Sequence, residues 1–113
     1  MSALAAAVVT AYVATCSGCS GRTASGLPAD HRLDLVAASR ERALGSCVAV
    51  EVEPGSWRTL LVADRGGALR RGSLDLLVAT REEAIEWGRR TVAVRTVACP
   101  ERLRRTWAAR PGR

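Results

Sequence analysis

The chain has 113 residues, 48% of them apolar, with no phenylalanine and only 4% aromatic residues. This length fits a single domain, and a core of valine, leucine and alanine with so few aromatic rings favours β structure. All 17 basic residues are arginine and the net charge is +6, of which residues 98–113 carry +4 through five arginines and one glutamate. Because the arginines are hardly interleaved with aromatic residues, a nucleic-acid-binding function is not expected.

The apolar N-terminal segment resembles either a secretion signal or a strand. No lysine or arginine precedes it, and the positions ahead of Cys16 and Cys19 are poor processing sites, so it is not a convincing signal peptide. The segment is also too short to span a bilayer. Because β-branched and small residues alternate between Val8 and Thr15, we predict a first strand there.

Two further strands are predicted in the middle of the chain. The segment CVAVEVEPG, residues 47–55, alternates in polarity and stops at a Pro-Gly turn. The segment SWRTLLVAD, which follows directly, predicts a strand that closes a hairpin with the first.

Helix signals are confined to the last third of the chain. Thr80 is a typical N-cap residue, two glutamates follow in the first turn, and Gly88 stands where a helix ends. The segment TVAVRTV, residues 91–97, predicts a last strand. Pro100 then favours the start of a short basic helix that ends before Pro111.

Asp64 and Asp75 stand out because each is flanked by apolar residues. An ionised carboxylate in such surroundings loses hydration unless a partner compensates it. An apolar wall or a second carboxylate nearby raises a carboxyl pKa, which suits a group that protonates the leaving oxygen of a glycosidic bond. The alternative is structural, since aspartates also cap turns and accept hydrogen bonds from loop amides.

Five segments of the chain, taken in order, resemble the three-aspartate (3D) domain of bacterial cell-wall enzymes. They are TAY (10–12), CSGCSGRTASG (16–26), ALGS (43–46), VADRGGALRRGSLDLL (62–77) and EAIEWGRRTVAVRTV (83–97). That domain also carries the active site of membrane-bound lytic transglycosylase A, and it is similar to the barrels of rare lipoprotein A and the expansins. The resemblance covers roughly residues 8–97, and we assign residues 1–97 to the domain and 98–113 to a basic C-terminal helix or tail.

The resemblance implies a mainly β fold, namely a small six-stranded double-psi β-barrel with one or two short helices and a groove for peptidoglycan glycan strands. It implies that Asp75 is the catalytic acid and base and that Asp64 supports it. The matching groove positions imply substrate contacts from five residues: Tyr12, Thr23, Gly66, Gly67 and Arg70. The two glycines would let backbone amides approach the sugar closely. The arginine replaces the usual lysine and suits a substrate carboxylate. No cofactor is expected.

One family aspartate is missing, because its position falls on Ala38. Two hypotheses therefore stay open. The first is a lytic transglycosylase-like enzyme that cleaves peptidoglycan with a single aspartate as general acid and base. The second is a non-catalytic barrel that binds glycan or serves as a structural component, for example of a phage virion. Both fit a location in the cell wall, outside the cell or on a virion.

The four cysteines favour disulfide bonds or structural thiols. Cys16 and Cys19 form one C-x-x-C, whereas Cys47 and Cys99 are isolated and only His31 would add a further ligand, so a zinc site is poorly supported and no metal is expected. A redox pair needs an exposed thiol at the start of a helix, and the C-x-x-C segment has the composition of a loop.

The basic tail, residues 98–113, lies outside the resemblance. We expect it to attach the domain to an anionic wall polymer or a partner protein and to be dispensable for folding. The alternative is that Leu103 and Trp107, four residues apart on the predicted helix, pack on the barrel.

Overall fold

The computed structural model describes residues 4–14 and 20–112. Six strands close into a barrel in the order β1-β5-β2-β4-β3-β6, and two α-helices follow the fifth and sixth strands. The strands are β1 (Ala5–Tyr12), β2 (Leu35–Ala38), β3 (Cys47–Glu53), β4 (Ser56–Arg65), β5 (Leu74–Leu77) and β6 (Arg90–Val97); the helices are α1 (Arg81–Trp87) and α2 (Glu101–Ala108). The predicted fold class, a mainly β six-stranded barrel with short helices, is confirmed.

The structure contains the predicted central hairpin and both predicted helices. Strands β3 and β4 pair in antiparallel fashion, as the Pro-Gly turn predicts. The Thr80 side chain accepts a hydrogen bond from the Glu83 amide at the start of α1, and the cap amide of Gly88 bonds back to the last turn. The first strand begins earlier than predicted and ends at Tyr12. The cysteine pair Cys16 and Cys19 lies outside the described residues.

Inward-pointing side chains from all six strands fill the barrel. Alternate positions of β1, β4 and β5 supply Val9, Leu60, Val62, Leu74 and Leu76, each at most 3% exposed. Because side chains alternate across a strand, the residues between them face the outside of the barrel. The site described below is built from those outward positions.

A second apolar cluster lies on the outside of the barrel. Leu35 of β2, Leu61 of β4 and Leu77 of β5 point outward there, and Leu27 and Leu103 cover them from the loop 20–30 and from α2. All five are buried. One part of the outer surface is therefore a second core under a loop and a helix.

Helix α2 is fastened to this outer surface by a disulfide, an ion pair and a stacking contact. Cys99, just before the helix, is bonded to Cys47 of β3. Arg102 forms an ion pair with Asp34 at 2.8 Å. Gly45 has a φ of +92°, and a β-carbon there would lie 2.7 Å from the Trp107 ring, so the indole can rest directly on this backbone. Residues 98–112 pack on the barrel, as the alternative interpretation of the tail proposed.

Within the described residues, no helix has the length and apolar character needed to cross a membrane.

Candidate functional site

A bulge in β4 sets the direction of Asp64. Strand β2 pairs with β4 in parallel, with Val36 opposite Val62 but Ala37 opposite Asp64, so that Ala63 is the extra residue on β4. A bulge of this kind changes which face the following side chains occupy. Val62 points into the barrel and Ala63 lies in the outer cluster. Asp64 follows on the outer side as well, where it meets Tyr12.

Strand register brings both predicted acids to one row on the outside of the barrel. Ala37 pairs with Asp64 on one side and with Asp75 on the other, and Asp75 pairs in turn with Thr10 of β1. We call these four residues the acid row. Asp64 and Asp75 are thus two strands apart, with the small side chain of Ala37 between them.

The Asp64 carboxylate has three hydrogen-bond donors. The amides of Ala24 and Arg65 donate to Oδ1 at 2.8 and 2.9 Å, and the Tyr12 hydroxyl donates to Oδ2 at 3.2 Å. The Ser25 amide also bonds to the Ala63 carbonyl, at 3.0 Å. Asp64 therefore holds the loop 20–30 on β4, which is the structural role that aspartates often play.

Asp75 has a different environment. Its Oδ1 accepts a hydrogen bond from the Thr10 hydroxyl at 2.9 Å. Burial raises the pKa of the Asp75 carboxyl, the bond from Thr10 opposes this rise, and the charge of Asp64 adds to it. Asp75 is therefore the member of the acid row that holds a proton more readily than an ordinary aspartate.

Tyr12 lies between the two carboxylates. Burial raises the pKa of its phenol, and the Asp64 and Asp75 charges raise it further. The phenol consequently stays protonated at neutral pH and acts as a hydrogen-bond donor toward Asp64. Of the predicted contact residues, Tyr12 has the most direct link to both acids.

The loop between the acids, residues 66–73, carries three of the predicted contacts. Gly66 accepts a bond from the Leu69 amide, which makes a tight turn, and Gly67 and Arg70 are exposed. Glu41 fixes the far end of the loop, since its carboxylate accepts a bond from the Gly72 amide. The loop therefore approaches β5 in a defined conformation.

Thr23 differs from the other predicted contacts because it is buried, with 6% exposure. Its hydroxyl bonds to the Leu27 carbonyl at 3.0 Å and to the Ser25 hydroxyl at 2.8 Å, within its own loop. In this structure Thr23 stabilises the loop that Asp64 holds. Thr10, by contrast, contacts Asp75 directly and was not identified as a site residue from the sequence, although it lies in the TAY segment.

Two cavities lie around the end of β3 and the start of β6, away from the acid row. They measure about 290 and 560 Å³ and share Val52, Glu53 and Arg90, and neither includes an aspartate of the acid row. In the described ranges 4–14 and 20–112, His, Cys, Asp and Glu side chains form no group of three that could hold a metal ion.

Comparison with known proteins finds a sequence relative and structural neighbours of the barrel. No protein-family model matches the chain. The chain is 35% identical over 89 residues to YabE of Bacillus subtilis (strain 168), a candidate cell wall shaping protein. That match covers 76% of this chain and 21% of YabE, so the chain spans about a fifth of its relative.

Two solved structures of an expansin from Clavibacter michiganensis superpose on the barrel. One is a point mutant in complex with cellohexaose, with a TM-score of 0.60 and 19% identity; the other is the apo protein, with a TM-score of 0.59 and 21% identity. Each match covers 87% of this chain and 52% of the expansin. The chain has the expansin-like double-psi barrel fold. The matched part of the chain thus corresponds to about half of an expansin.

Proposed function

We propose that the protein acts on the glycan strands of peptidoglycan as a three-aspartate-type barrel, and that it cleaves them in the manner of a lytic transglycosylase. The observation that carries this proposal is the contrast within the acid row, where Asp75 is half-buried and has a raised pKa, whereas Asp64 accepts three hydrogen bonds. The similarity to a candidate cell wall shaping protein supports the substrate class.

In the proposed reaction Asp75 serves first as acid and then as base. Protonated Asp75 donates its proton to the glycosidic oxygen as the bond to the anomeric carbon breaks. A hydroxyl of the same sugar then attacks that carbon, and the Asp75 carboxylate accepts the hydroxyl proton. No water is consumed, the product is an anhydro sugar, and one carboxyl suffices where glycoside hydrolases usually need two.

Asp64 has a supporting role in this proposal. Its charge helps to keep the Asp75 proton in place, and its hydrogen bonds hold Tyr12 and the loop 20–30 beside the acid row. Tyr12, Gly66, Gly67 and Arg70 remain proposed substrate contacts, whereas Thr23 acts through the loop. The proposal therefore has one catalytic residue and a set of groups that position it.

A second function, glycan binding without cleavage, is favoured by one specific observation. The Asp64 carboxylate is occupied by the backbone amides of Ala24 and Arg65, and Ala38 stands where the resemblance places the first family aspartate. A barrel with a single free acid would still bind glycan, as a wall-binding or virion component. One structural neighbour is an expansin crystallised with cellohexaose.

The proposed location is the cell wall or another extracellular setting. The Cys47–Cys99 disulfide supports it, because such bonds persist in oxidising compartments. We also propose that the arginines of α2 contact an anionic wall polymer or an assembly partner. The net charge of +4 on residues 98–113 supports this contact, and within the protein Arg102 and Arg105 pair with Asp34 and Glu101.

The test is the release of anhydro-muropeptides from cell-wall sacculi by the purified protein, followed by mass spectrometry. Asp75→Asn keeps the shape of the side chain and removes the proton donor, so we expect cleavage to fall by about 10²–10⁴-fold while sacculus binding persists. Asp30→Asn, which removes a carboxylate paired locally with Arg32, is the matched control and should retain activity. Equal turnover by wild type and Asp75→Asn would contradict the assignment. Binding without any cleavage by the wild type would favour the second function.

A further inference from the structure

A small cleft lies next to the acid row. It measures about 100 Å³ and is lined by Val8, Thr10, Leu69, Arg70, Ser73 and Arg89, among others. Pockets for drug-sized ligands are about 300–1,000 Å³, so the cleft suits a substituent of a sugar rather than a run of sugar rings. We call it the arginine cleft.

Two separate parts of the chain supply its arginines. Arg70 comes from the loop 66–73, where its carbonyl accepts a bond from the Ser73 amide at 2.9 Å. Arg89 comes from the connection between α1 and β6, directly after Gly88, whose φ of +67° ends the helix. The sequence alone does not place these residues together, because eighteen positions, β5 and α1 lie between them.

Both arginines are available to a ligand. Among residues 4–14 and 20–112, the ion pairs involve Arg32, Arg58, Arg102 and Arg105 but neither arginine of the cleft. The arginines of the cleft are also not among the groups that set the pKa of Asp75, which depends on burial, Thr10 and Asp64. Their charge is therefore not used to neutralise the acid.

Thr10 connects the cleft to the acid row. It lines the cleft, and its hydroxyl donates to the Asp75 carboxylate at 2.9 Å. When the glycosidic oxygen of a sugar reaches Asp75, a substituent on that sugar would thus reach the arginines of the cleft. Guanidinium groups bind carboxylates through paired, charge-assisted hydrogen bonds.

We propose that Arg70 and Arg89 form a subsite for a carboxylate carried by the glycan, so that the barrel selects acidic over neutral glycans. This inference rests on the proposed function for the identity of the glycan. In peptidoglycan the carboxylate has two sources, the lactyl group on the sugar and the peptide attached to it. The chemistry of recognition is the same for both.

Binding is measured with the Asp75→Asn protein, so that no ligand is consumed. The ligands are intact peptidoglycan fragments, peptide-free glycan strands with their lactyl carboxylates, and both materials after conversion of the carboxylates to amides. We expect amidation to weaken binding about tenfold or more at low salt and less at high salt. Adding Arg70→Gln and Arg89→Gln together should abolish the difference between the charged and the amidated ligand.

The matched control adds Arg81→Gln and Arg95→Gln, two exposed arginines that do not line the cleft. It changes the net charge equally and should keep the preference for the charged ligand. A preference with peptide-free strands identifies the lactyl carboxylate, and a preference limited to peptide-bearing fragments identifies the peptide. Either result supports the subsite.

Equal binding of charged and amidated glycan would overturn the subsite, as would loss of the preference in the control pair. The sacculus assay separates this outcome from a failure of the proposed function. A protein that prefers carboxylated glycan but never releases anhydro-muropeptides keeps the subsite and loses the proposed reaction. A protein that cleaves without regard to amidation keeps the reaction and loses the subsite, and one that binds neither ligand loses both.

Discussion

The outer surface of the barrel is apolar and buried in one region, the covered region, and carries half-buried aspartates in the next, which we call the open region. Leu35 and Leu77 lie under α2 and the loop 20–30, whereas Ala37 and Asp75, two positions away on the same strands, belong to the acid row. The covered region has apolar side chains and a disulfide, and the adjacent region has titratable groups. The difference indicates that α2 and the loop 20–30 bury the apolar outer face of the strands next to the acid row.

Removing Leu103 tests the covered region and has the largest expected effect on stability. This side chain is 1% exposed between α2 and the barrel, so Leu103→Ala should lower the free energy of unfolding by about 2–5 kcal/mol. Arg104→Ala, on the exposed side of the same helix, should change it by less than about 0.5 kcal/mol. Urea unfolding measures both. A Leu103→Ala protein as stable as this control would support the prediction that the tail is dispensable for folding.

Asp64→Asn tests the boundary between the two regions. The substitution removes the negative charge of the carboxylate to which the Ala24 and Arg65 amides and the Tyr12 hydroxyl donate hydrogen bonds. We expect a loss of about 1–3 kcal/mol, together with faster hydrogen exchange of the amides in the loop 20–30. Unchanged exchange at Ala24 and Ser25 would show that the loop is held by its own contacts.

Local sequence patterns predict the long strands and both helices, but not the two short strands, β2 and β5, that carry residues of both regions. Alternating polarity identified β3, β4 and β6, and Thr80 and Pro100 identified the helix starts, because those signals are local. The short strands β2 and β5 have four residues each and carry little periodicity of their own. Their pairing with β1 and β4 is long-range.

The site shows the same limit at the level of single residues. The apolar flanks of Asp64 and Asp75 singled out the acids, but the bulge at Ala63 and the parallel register of β1 with β5 decide what surrounds them. Thr10 was missed because its contact with Asp75 spans 65 positions. Arg89 lines the arginine cleft nineteen positions after Arg70, and no local pattern joins these two residues.

The open region should respond to pH through Asp75. The pKa of Asp75 is raised in the folded protein. The contribution of this group to the free energy of unfolding is therefore fully present below its unfolded pKa and is lost as the pH rises through its folded pKa. Asp75→Asn removes this dependence. The variant should therefore gain stability relative to wild type on going from about pH 3 to about pH 7, as measured by urea unfolding at each pH. If the variant instead lost stability relative to wild type between these pH values, the ionised Asp75 carboxylate would be stabilised by folding.

The smallest expected effect concerns Thr10. Thr10→Val keeps the shape of the side chain and removes the bond that lowers the pKa of Asp75. We expect the alkaline limb of the pH–rate profile for sacculus cleavage to move to higher pH, because that limb reports loss of the acid proton. Thr91→Val, at an exposed position of β6, is the control. A shift to lower pH would refute the role given to Thr10.

The Cys47–Cys99 bond has a consequence for the chain when it is not folded. It closes a loop with a sequence separation of 52 residues, which includes both aspartates of the acid row. Joining the ends of such a loop restricts the denatured ensemble and disfavours it by about 4 kcal/mol in the chain-entropy model. The oxidised protein therefore gains part of its free energy of unfolding from conformations that the denatured chain can no longer adopt, and no contact within the barrel accounts for that part.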